Sequence, residues 1–359
     1  MSEQFDNDPG NSGRHFPAFW RIVAAAFAGV IILAALLNFI VDPYGIYGVH
    51  LLPRTEINFY EKKLELFSNY QPPAEALIVG SSRGIALDPD MVEELTGKRA
   101  FNFSVPGAKA ETFYATLRLA VEDFGDPVDE LILAVDPESF HPTMPIQPES
   151  VYMAQCSRYF IYNPDVQAGW AERVGLLFTL DQTSESIDSL GSVLKASMGR
   201  QKMEFRDDGY STWVQREREI AEGTYNLESV LETRIRKYPE RSLMLSSFTH
   251  LGETRMKYWE DFLDLCEERG VKVYAFLPPY HPRLSEVLHN FGADGILSEV
   301  SEYLEATVES HGGAYRDFRD IRSFGGDPNL FYDEIHMRPE NATLLLENLL
   351  GADDSGESR

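Results

Sequence analysis

The sequence predicts an α/β protein in three layers. It indicates a parallel sheet with helices on both faces, a mostly helical insertion, and one transmembrane helix at the N-terminus. Two observations lead to this fold class. Short apolar runs of strand length alternate with segments of helical periodicity, which is typical of β-α-β units. Ahead of them, residues 22–41 form a continuous apolar run without a charged residue.

The apolar run is long enough to cross a bilayer, because twenty helical residues extend about 30 Å, the thickness of the hydrocarbon core. Arg14 and Arg21 precede it, and Trp20, Tyr44 and Tyr47 are candidate interfacial anchors. A cleaved signal peptide is the alternative, but the run is longer than a usual signal core and no small-residue cleavage site directly follows. We therefore expect an uncleaved signal anchor, with the N-terminus inside and everything from about Asp42 periplasmic or extracellular.

These signals divide the chain into segments. In order, they are a cytoplasmic tail (1–16), the anchor (17–41), a juxtamembrane segment (42–74), an α/β domain (75–350) that contains the insertion (about 141–246), and a disordered tail (351–359).

The first elements of the α/β domain have clear local signals. ALIVG (76–80) is a continuous apolar run, as expected for a strand buried on both faces. A helix follows at 87–97, with Asp88 as its N-cap, Pro89 at its first position and Gly97 at its end. The remaining predicted strands are 100–105, 131–136, 271–279 and 314–318, and the remaining helices are 109–124, 181–198, 226–238, 252–270, 283–291, 297–312 and 339–350.

Composition excludes several classes of protein. The chain has 359 residues, of which 43% are hydrophobic, so it is long and apolar enough for one large globular domain. Its net charge of −25 argues against a free-standing nucleic-acid-binding protein, which carries a basic face. The two cysteines, Cys156 and Cys266, lack metal-binding spacing, and whether they pair stays open. We predict neither a metal site nor a cofactor.

Ligands in open α/β sheets bind at the carboxyl ends of the strands. The first such end carries two adjacent serines, Ser81 and Ser82, in GSSRG (80–84). A hydroxyl at a strand-to-helix turn lies near backbone N–H groups that stabilise an oxyanion, which suits a nucleophile. Serines whose side chains bond to the local backbone of a tight turn explain the same residues, so this motif alone leaves the role open.

A serine nucleophile needs a base. Of the eight histidines, only His336 has an aspartate, Asp333, three residues before it. A carboxylate at that spacing on a turn reaches the imidazole Nδ1, fixes the tautomer and leaves Nε2 facing a hydroxyl. The alternative is an aspartate that caps the helix starting at Pro339, beside an unrelated surface histidine.

The order of these features resembles the SGNH/GDSL hydrolase superfamily, whose domain is a flavodoxin-like three-layer sheet. That family places its serine after the first strand and an Asp-x-x-His near the C-terminus. GSS stands where the family has Gly-Asp-Ser, so the resemblance implies Ser82 as nucleophile and Ser81 in the position of the aspartate. Asn102 and Gly107 match the family's Asn-x-Gly-x-x-Gly block, with Ser104 in place of the first glycine. The resemblance covers roughly residues 75–140 and 250–350.

The family's third block, Gly-x-Asn-Asp, is replaced by AVDPES (134–139), which has no asparagine for an oxyanion. The oxyanion is then left to the N–H of Ser82 and neighbouring backbone groups, with Asn102 as a candidate. A serine in the aspartate position and a membrane anchor are more similar to the envelope acyltransfer branch, which assists D-alanylation of teichoic acids or O-acetylates exopolysaccharides such as alginate. That branch implies a cell-envelope or secreted polysaccharide as substrate and an integral-membrane partner that delivers acyl groups.

Three further side chains are candidates for substrate binding. Arg83 would steady an anionic intermediate or polysaccharide carboxylates, with a salt bridge as the alternative. Asp136 lies at a strand end, where it would face the site or cap a loop. His281, in PPYHP (278–282), would line the pocket or simply pack.

We therefore expect extracytoplasmic acyl transfer, with acetyl as the expected acyl group, to or from a glycan through a Ser-His-Asp triad. A carbohydrate esterase or deacetylase would use the same residues with water as acceptor. A non-catalytic scaffold of a polysaccharide modification or export complex is the alternative from a different class.

Overall fold

The computed structural model describes residues 12–43, 47–49, 51, 59–146, 156, 158–163, 170–196, 203–241 and 247–351. Most of the predicted cytoplasmic tail, the predicted C-terminal tail after residue 351, and Tyr44 lie outside these ranges. The α-helices are α1 (Ser12–Val41), α2 (Phe59–Asn69), α3 (Pro89–Thr96), α4 (Ala110–Arg118), α5 (Trp170–Leu176), α6 (Leu180–Ala196), α7 (Val214–Ala221), α8 (Leu227–Arg241), α9 (Glu253–Arg269), α10 (Pro282–Asn290), α11 (Asp294–Ser310) and α12 (Pro339–Leu350). The strands are β1 (Ala76–Gly80), β2 (Ala100–Asn102), β3 (Glu130–Ala134), β4 (Glu204–Phe205), β5 (Ser211–Thr212), β6 (Lys272–Leu277) and β7 (Ala314–Asp317).

Five of the strands form one parallel sheet in the order β2-β1-β3-β6-β7. If only these five strands are numbered along the chain, their order is 2-1-3-4-5, as in flavodoxin-like folds. Ligands of such folds bind where the strand order reverses. The predicted fold class is confirmed. Because β1 lies at the reversal, the turn that follows it stands at the expected binding edge.

Both faces of the sheet are covered, which explains why β1 is apolar throughout. Leu77 and Val79 belong to the core under α2, α4, α9, α10 and α11. Ala76 and Ile78 point to the opposite core, under α3 and α12. Successive side chains of a strand alternate between faces, so a strand between two helical layers needs apolar residues at every position.

Several elements end earlier than the sequence predicts. The strand predicted at 100–105 is regular only to Asn102, although the N–H groups of Phe103 and Val105 still donate to the carbonyls of Ile78 (2.8 Å) and Gly80 (3.0 Å) in β1. The strand predicted to run through 279 ends at Leu277, because the next two residues are prolines and cannot donate ladder hydrogen bonds. The helix predicted at 109–124 is α-helical only to Arg118 and continues as a π-helix until Gly125, at φ 69°, ends it.

The described residues fall into two compact units, one of residues 1–57 with 168–199 and one of residues 58–167 with 200–359. The second unit contains the sheet, and it begins before the predicted boundary at residue 75. Tyr60, Leu64 and Phe67 of α2 are buried in its core. The predicted juxtamembrane segment is therefore partly a core element.

The first unit contains α1, α5 and α6. Phe19–Val41 of α1 has a mean hydropathy of 2.5 and is long and apolar enough, by length and composition, to cross a membrane. Asn38, the strongly polar residue of the predicted span, is fully buried. Its Nδ2 donates hydrogen bonds to the carbonyl of Leu177 (2.8 Å) and to Oγ1 of Thr183 (3.0 Å).

The predicted insertion at 141–246 is thus divided between the two units. Helices α5 and α6 belong with α1, whereas the hairpin β4–β5 and helices α7 and α8 belong with the sheet. The hairpin was not anticipated, since its strands are two residues long and give no periodic signal.

Candidate active site

The turn after β1 treats its two serines differently. Ser81 is 1% exposed, and its Oγ accepts a hydrogen bond from the N–H of Arg83 (3.1 Å) while its carbonyl accepts from the N–H of Gly84 (3.1 Å). These bonds close a tight turn, which is the local role that serine often has in turns. Ser82 is only partly buried and can be reached from solvent.

Ser82 and His336 meet across this edge of the sheet although 254 positions separate them in the chain. Ser82 Oγ lies 2.8 Å from His336 Nε2, and His336 Nδ1 lies 2.9 Å from both carboxylate oxygens of Asp333. These distances are within normal hydrogen-bond range. The structure therefore brings together the three residues predicted as a catalytic triad.

The chemistry of Asp333 assigns the proton positions. Burial alone would raise the pKa of this carboxyl, but the charge and hydrogen bond of His336, the nearby Arg234 and the N–H of Ile335 together hold its pKa well below the usual value. An ionised carboxylate only accepts hydrogen bonds, so Nδ1 of His336 carries the proton and donates it. Nε2 is then the acceptor for the hydroxyl of Ser82, as general-base catalysis requires.

The loop that carries Asp333 and His336 is held by its own backbone. The N–H of Tyr332 donates to the carbonyl of His336 (2.7 Å), and the N–H of Arg338 donates to the carbonyl of Leu330 (2.9 Å). The carboxylate of Asp333 also accepts from the backbone N–H of His336 (2.9 Å). Asp333 thus both caps this turn and orients the imidazole. It is not the cap of α12, because that helix begins only after Arg338.

Trp213 contacts the imidazole from the side of the insertion. The ring of Trp213, which precedes α7, meets His336 edge to face at 4.9 Å and Tyr332 at 4.7 Å. The hydroxyl of Tyr332 donates to Glu217 of α7. Sequence reasoning missed these residues, because nothing in their local spacing distinguishes them from core aromatics and surface acids.

An arginine of α8 supports the same loop. One terminal nitrogen of Arg234 is 3.6 Å from Asp333 Oδ2, and the Nε of Arg234 donates to the carboxylate of Glu334. The guanidinium thus helps to keep Asp333 ionised. It too was absent from the sequence prediction, since α8 is separated from the loop by almost a hundred residues and only the fold joins them.

Asn102 is not available to an oxyanion. It is fully buried, and its Nδ2 donates to the carbonyls of Gly84 (2.9 Å) and Leu87 (2.8 Å), while its Oδ1 accepts from the N–H of Ser104 (2.9 Å). Both amide hydrogens are therefore used by the backbone. The prediction of Asn102 as an oxyanion donor is wrong, and its role is to hold the chain that follows the serine turn.

Arg83 and Asp136 form a structural pair rather than a substrate site. Arg83 is 3% exposed, and its terminal nitrogens donate to Asp136 Oδ1 (3.2 Å) and to the carbonyls of Pro278 (2.6 Å) and Pro279 (2.7 Å). Its guanidinium also lies 4.4 Å from the ring centre of Tyr280. Arg83 thus joins the ends of β1, β3 and β6, and the salt bridge named as the alternative is the one observed.

His281 and Ser104 also lie outside the reacting centre. His281 caps α10, where its Nδ1 accepts from the N–H of Arg283 (3.2 Å), and burial lowers its pKa. The backbone N–H of His281 donates to the carbonyl of Glu334 (3.0 Å). His281 therefore stabilises the loop that carries Asp333 and His336, which we call the base loop, and does not line a pocket. Ser104 is fully buried against Gly84, where an added Cβ would lie 2.6 Å from its Oγ.

Backbone groups remain as donors for an oxyanion. Ser82 and Gly107 follow the neighbouring parallel strands β1 and β2. Among the described residues, neither backbone N–H has a hydrogen-bond partner. Gly107 is at φ 69°, a conformation that glycine adopts without strain. These two N–H groups are the candidates for the oxyanion hole.

Two groups of side chains in the described part of the chain have spacing that a metal ion would fit, and neither includes the triad. They are Asp264, Glu267 and His311, and Asp88, Asp90 and Asp208. The second group already surrounds the guanidinium of Arg206. Cys156 and Cys266 are buried free thiols, so they do not pair.

Comparison with protein families gives a match over most of the chain. A family model described as "Protein of unknown function (DUF1574)" matches residues 54–339. No curated protein gives a significant match.

Two solved structures resemble the chain at low levels. One is a "putative acylhydrolase" from Bacteroides fragilis, with 10% identity, covering 82% of this chain and 93% of that chain, with a TM-score of 0.35. Another is a "putative platelet activating factor" from Streptococcus pneumonia, with 10% identity, covering 82% and 90% of the two chains, with a TM-score of 0.36. At these scores neither likeness adds support for the fold or for the chemistry.

Proposed function

The chain belongs to the family described as protein of unknown function (DUF1574), and we propose that it catalyses serine-dependent acyl transfer to or from a glycan hydroxyl. One observation carries the proposal: Ser82 Oγ is 2.8 Å from His336 Nε2, on the imidazole that Asp333 orients. Of the two adjacent serines, it is the solvent-reachable one that meets the histidine.

The proposed reaction has two acyl-transfer steps. His336 Nε2 takes the proton of Ser82 as Oγ attacks the acyl carbonyl, and the protonated imidazole then gives that proton to the leaving alkoxide. This leaves an ester on Ser82. In the second step His336 takes a proton from an acceptor hydroxyl, which attacks the ester and releases Ser82 with its proton restored.

The tetrahedral intermediates carry a negative oxygen that needs fixed donors. The N–H groups of Ser82 and Gly107 take this role in the proposal, because the side-chain amide of Asn102 is used elsewhere. Donors of this kind contribute about 10²–10³ in rate in enzymes where one has been removed.

Two parts of the proposal are supported by the sequence alone: the glycan acceptor and the position of the α/β domain outside the cytoplasm. The replaced third block and the serine in the aspartate position resemble the envelope acyltransfer branch, and Arg14 and Arg21 precede the apolar run at 22–41. With water as acceptor the same residues would act as an esterase, so the acceptor needs a test of its own.

Labelling with a serine-reactive fluorophosphonate tests the nucleophile. We expect one label per wild-type chain, none on Ser82→Ala, and retained labelling of Ser81→Ala, the matched control one residue away. Peptide mass spectrometry locates the label. Equal labelling of wild type and Ser82→Ala, or none of either, would contradict the proposed chemistry.

A second experiment tests the acceptor. The protein is supplied with p-nitrophenyl acetate and a neutral oligosaccharide, and acetylated sugar and free acetate are measured by mass spectrometry. Transfer predicts acetylated sugar that disappears with Ser82→Ala. Acetate alone, at the same rate with and without sugar, would identify an esterase instead.

A further inference from the structure

An exposed apolar edge lies beside the C-terminal end of α1. Phe178, in the turn between α5 and α6, is 55% exposed, and Leu180 and Ile187 of α6 are 86% and 57% exposed. Leu180 and Ile187 are seven residues apart, so they lie on one side of the helix two turns apart. We call Phe178, Leu180 and Ile187 the apolar edge.

The other sides of α6 have different chemistry. Gln182, Ser186 and Ser189 are buried and lie on the side of the helix that packs within the unit of α1. Asp181 and Asp188 are exposed, and each follows a member of the apolar edge by one residue, about 100° around the helix. The helix therefore presents a packed side, an apolar side and an acidic side.

Hydrogen bonds fix the level of this edge relative to the candidate span. Asn38 donates to Leu177 and Thr183, the residues that bracket Phe178 and Leu180. It stands three residues before Val41, the last residue of the candidate span, which is about 4.5 Å along a helix. The turn between α5 and α6 is thus level with the end of the span.

The end of α1 is itself fixed at this level. Asp42, at φ 43°, ends the helix, and its carboxylate accepts from the N–H groups of Tyr47 (3.2 Å) and Val49 (3.1 Å). The hydroxyl of Tyr47 donates to the carbonyl of Arg173 in α5 (2.7 Å). Helices α5 and α6 are consequently held to the last turns of α1 at more than one point.

We propose that the apolar edge inserts into the bilayer surface that α1 crosses, at the boundary between headgroups and acyl chains. Amphipathic helices bind there by burying an apolar side about 5–10 Å deep while their polar side stays in water. The acidic side of α6 excludes attraction to anionic headgroups, so the burial of apolar surface drives the contact. A lipid surface is favoured over a protein partner because α1 already brings it to the edge.

Environment-sensitive dyes on single cysteines test this proposal. Cys156 and Cys266 of the full chain are first replaced by alanine, and the melting temperature of this variant is compared with that of wild type. The variant is then placed in phosphatidylcholine nanodiscs, one copy per disc. Dyes are attached at Leu180→Cys and Ile187→Cys, with Asp181→Cys and Asp188→Cys as matched controls. A dye at Leu33→Cys, in the middle of the span, reports on α1 itself.

We expect iodide in the water to quench the dyes at 180 and 187 at least about threefold less than those at 181 and 188, because they lie below the headgroups. Lipids with a nitroxide near the glycerol should quench the dyes at 180 and 187 more than the dyes at 181 and 188. Equal iodide access at all four sites overturns the proposal. Shielding seen only with two copies per disc, or only in native membranes, also overturns it, in favour of a second copy or a protein partner.

No arm of this experiment depends on the serine chemistry, so failure here and failure of the proposed function are distinguishable. Free access of iodide to the dye at residue 33 would overturn the inference through its premise, since α1 would then not cross the bilayer.

Discussion

At the scale of single residues, the neighbours of a side chain decide its role more than its type does. Ser81 and Ser82 are adjacent and identical, yet one bonds to its own turn and the other meets His336. Asp333 and Asp136 are both aspartates outside the regular strands, yet one bonds to the imidazole of His336 and the other pairs with the buried Arg83.

Asp333→Asn is expected to lower kcat for an acetyl ester by about 10³–10⁴, because an amide cannot hold the imidazole in the tautomer with a free Nε2. The hydroxyl of Ser82 is unchanged, so slow fluorophosphonate labelling should persist. The measurement is steady-state hydrolysis of p-nitrophenyl acetate. Activity within a factor of about three of wild type would contradict the assigned role of Asp333.

The same carboxyl predicts a pH dependence of stability. The pKa of Asp333 is lower in the folded chain than in the unfolded chain, where it is about 3.9. Its ionised form thus stabilises the fold above about pH 4, and this contribution is lost as the pH falls through the folded pKa. The difference in urea unfolding free energy between wild type and Asp333→Asn should shrink as the pH falls below about 4. A difference that grows on acidification would contradict this sign.

At the scale of elements, the insertion supplies the outer support of the base loop. Helix α8 contributes Arg234 and the start of α7 contributes Trp213, both against a loop that lies at the far end of the chain. The candidate triad is therefore positioned by four segments, of which the motifs identify two.

Arg234→Gln is expected to lower kcat by about tenfold with little change in KM, because Asp333 loses a charge that orients it and the substrate is not touched. The effect is moderate because Arg234 is partly exposed and water screens the interaction. Arg236→Gln, on the same helix and exposed, is the matched control with no expected effect. Equal kinetics for the two variants would show that Arg234 does not position the loop.

The two glycines that flank the serine turn should differ in their tolerance of alanine. A Cβ on Gly80 would lie 2.8 Å from the Cβ and 2.9 Å from the carbonyl oxygen of Ala134, whereas one on Gly84 meets mainly the Ser104 hydroxyl. Overpacking of a core typically destabilises by about 1–3 kcal/mol, and a side chain yields more easily than a strand backbone. Urea denaturation should show a larger loss for Gly80→Ala, and Ser104→Gly should restore part of the loss of Gly84→Ala only. Restoration of both to the same extent would contradict this explanation.

At the scale of the whole molecule, the sequence predicts what is local or ordered along the chain. The run ALIVG, the cap at Asp88 and the order of serine, aspartate and histidine are signals of this kind, and the fold class followed from them. Asn102 was misassigned because its donors are consumed by carbonyls of a turn fifteen or more residues away. Arg234 and Trp213 were missed for the same reason, since only tertiary packing brings them to the loop.

Lys63 of α2 has a practical consequence for the design of soluble fragments. It is fully buried, burial lowers its pKa to about 7, and its Nζ donates to the carbonyls of Asn102 (2.7 Å) and Gly209. A fragment that starts at residue 75, where the α/β pattern begins, would lack this lysine and expose the aromatic surface that Tyr60 and Phe67 cover. It should aggregate on expression, whereas a fragment that starts at residue 58 keeps Tyr60, Lys63 and Phe67 in the core of the sheet unit. Because α5 and α6 belong with α1, that fragment also needs residues 168–199 removed or α1 retained.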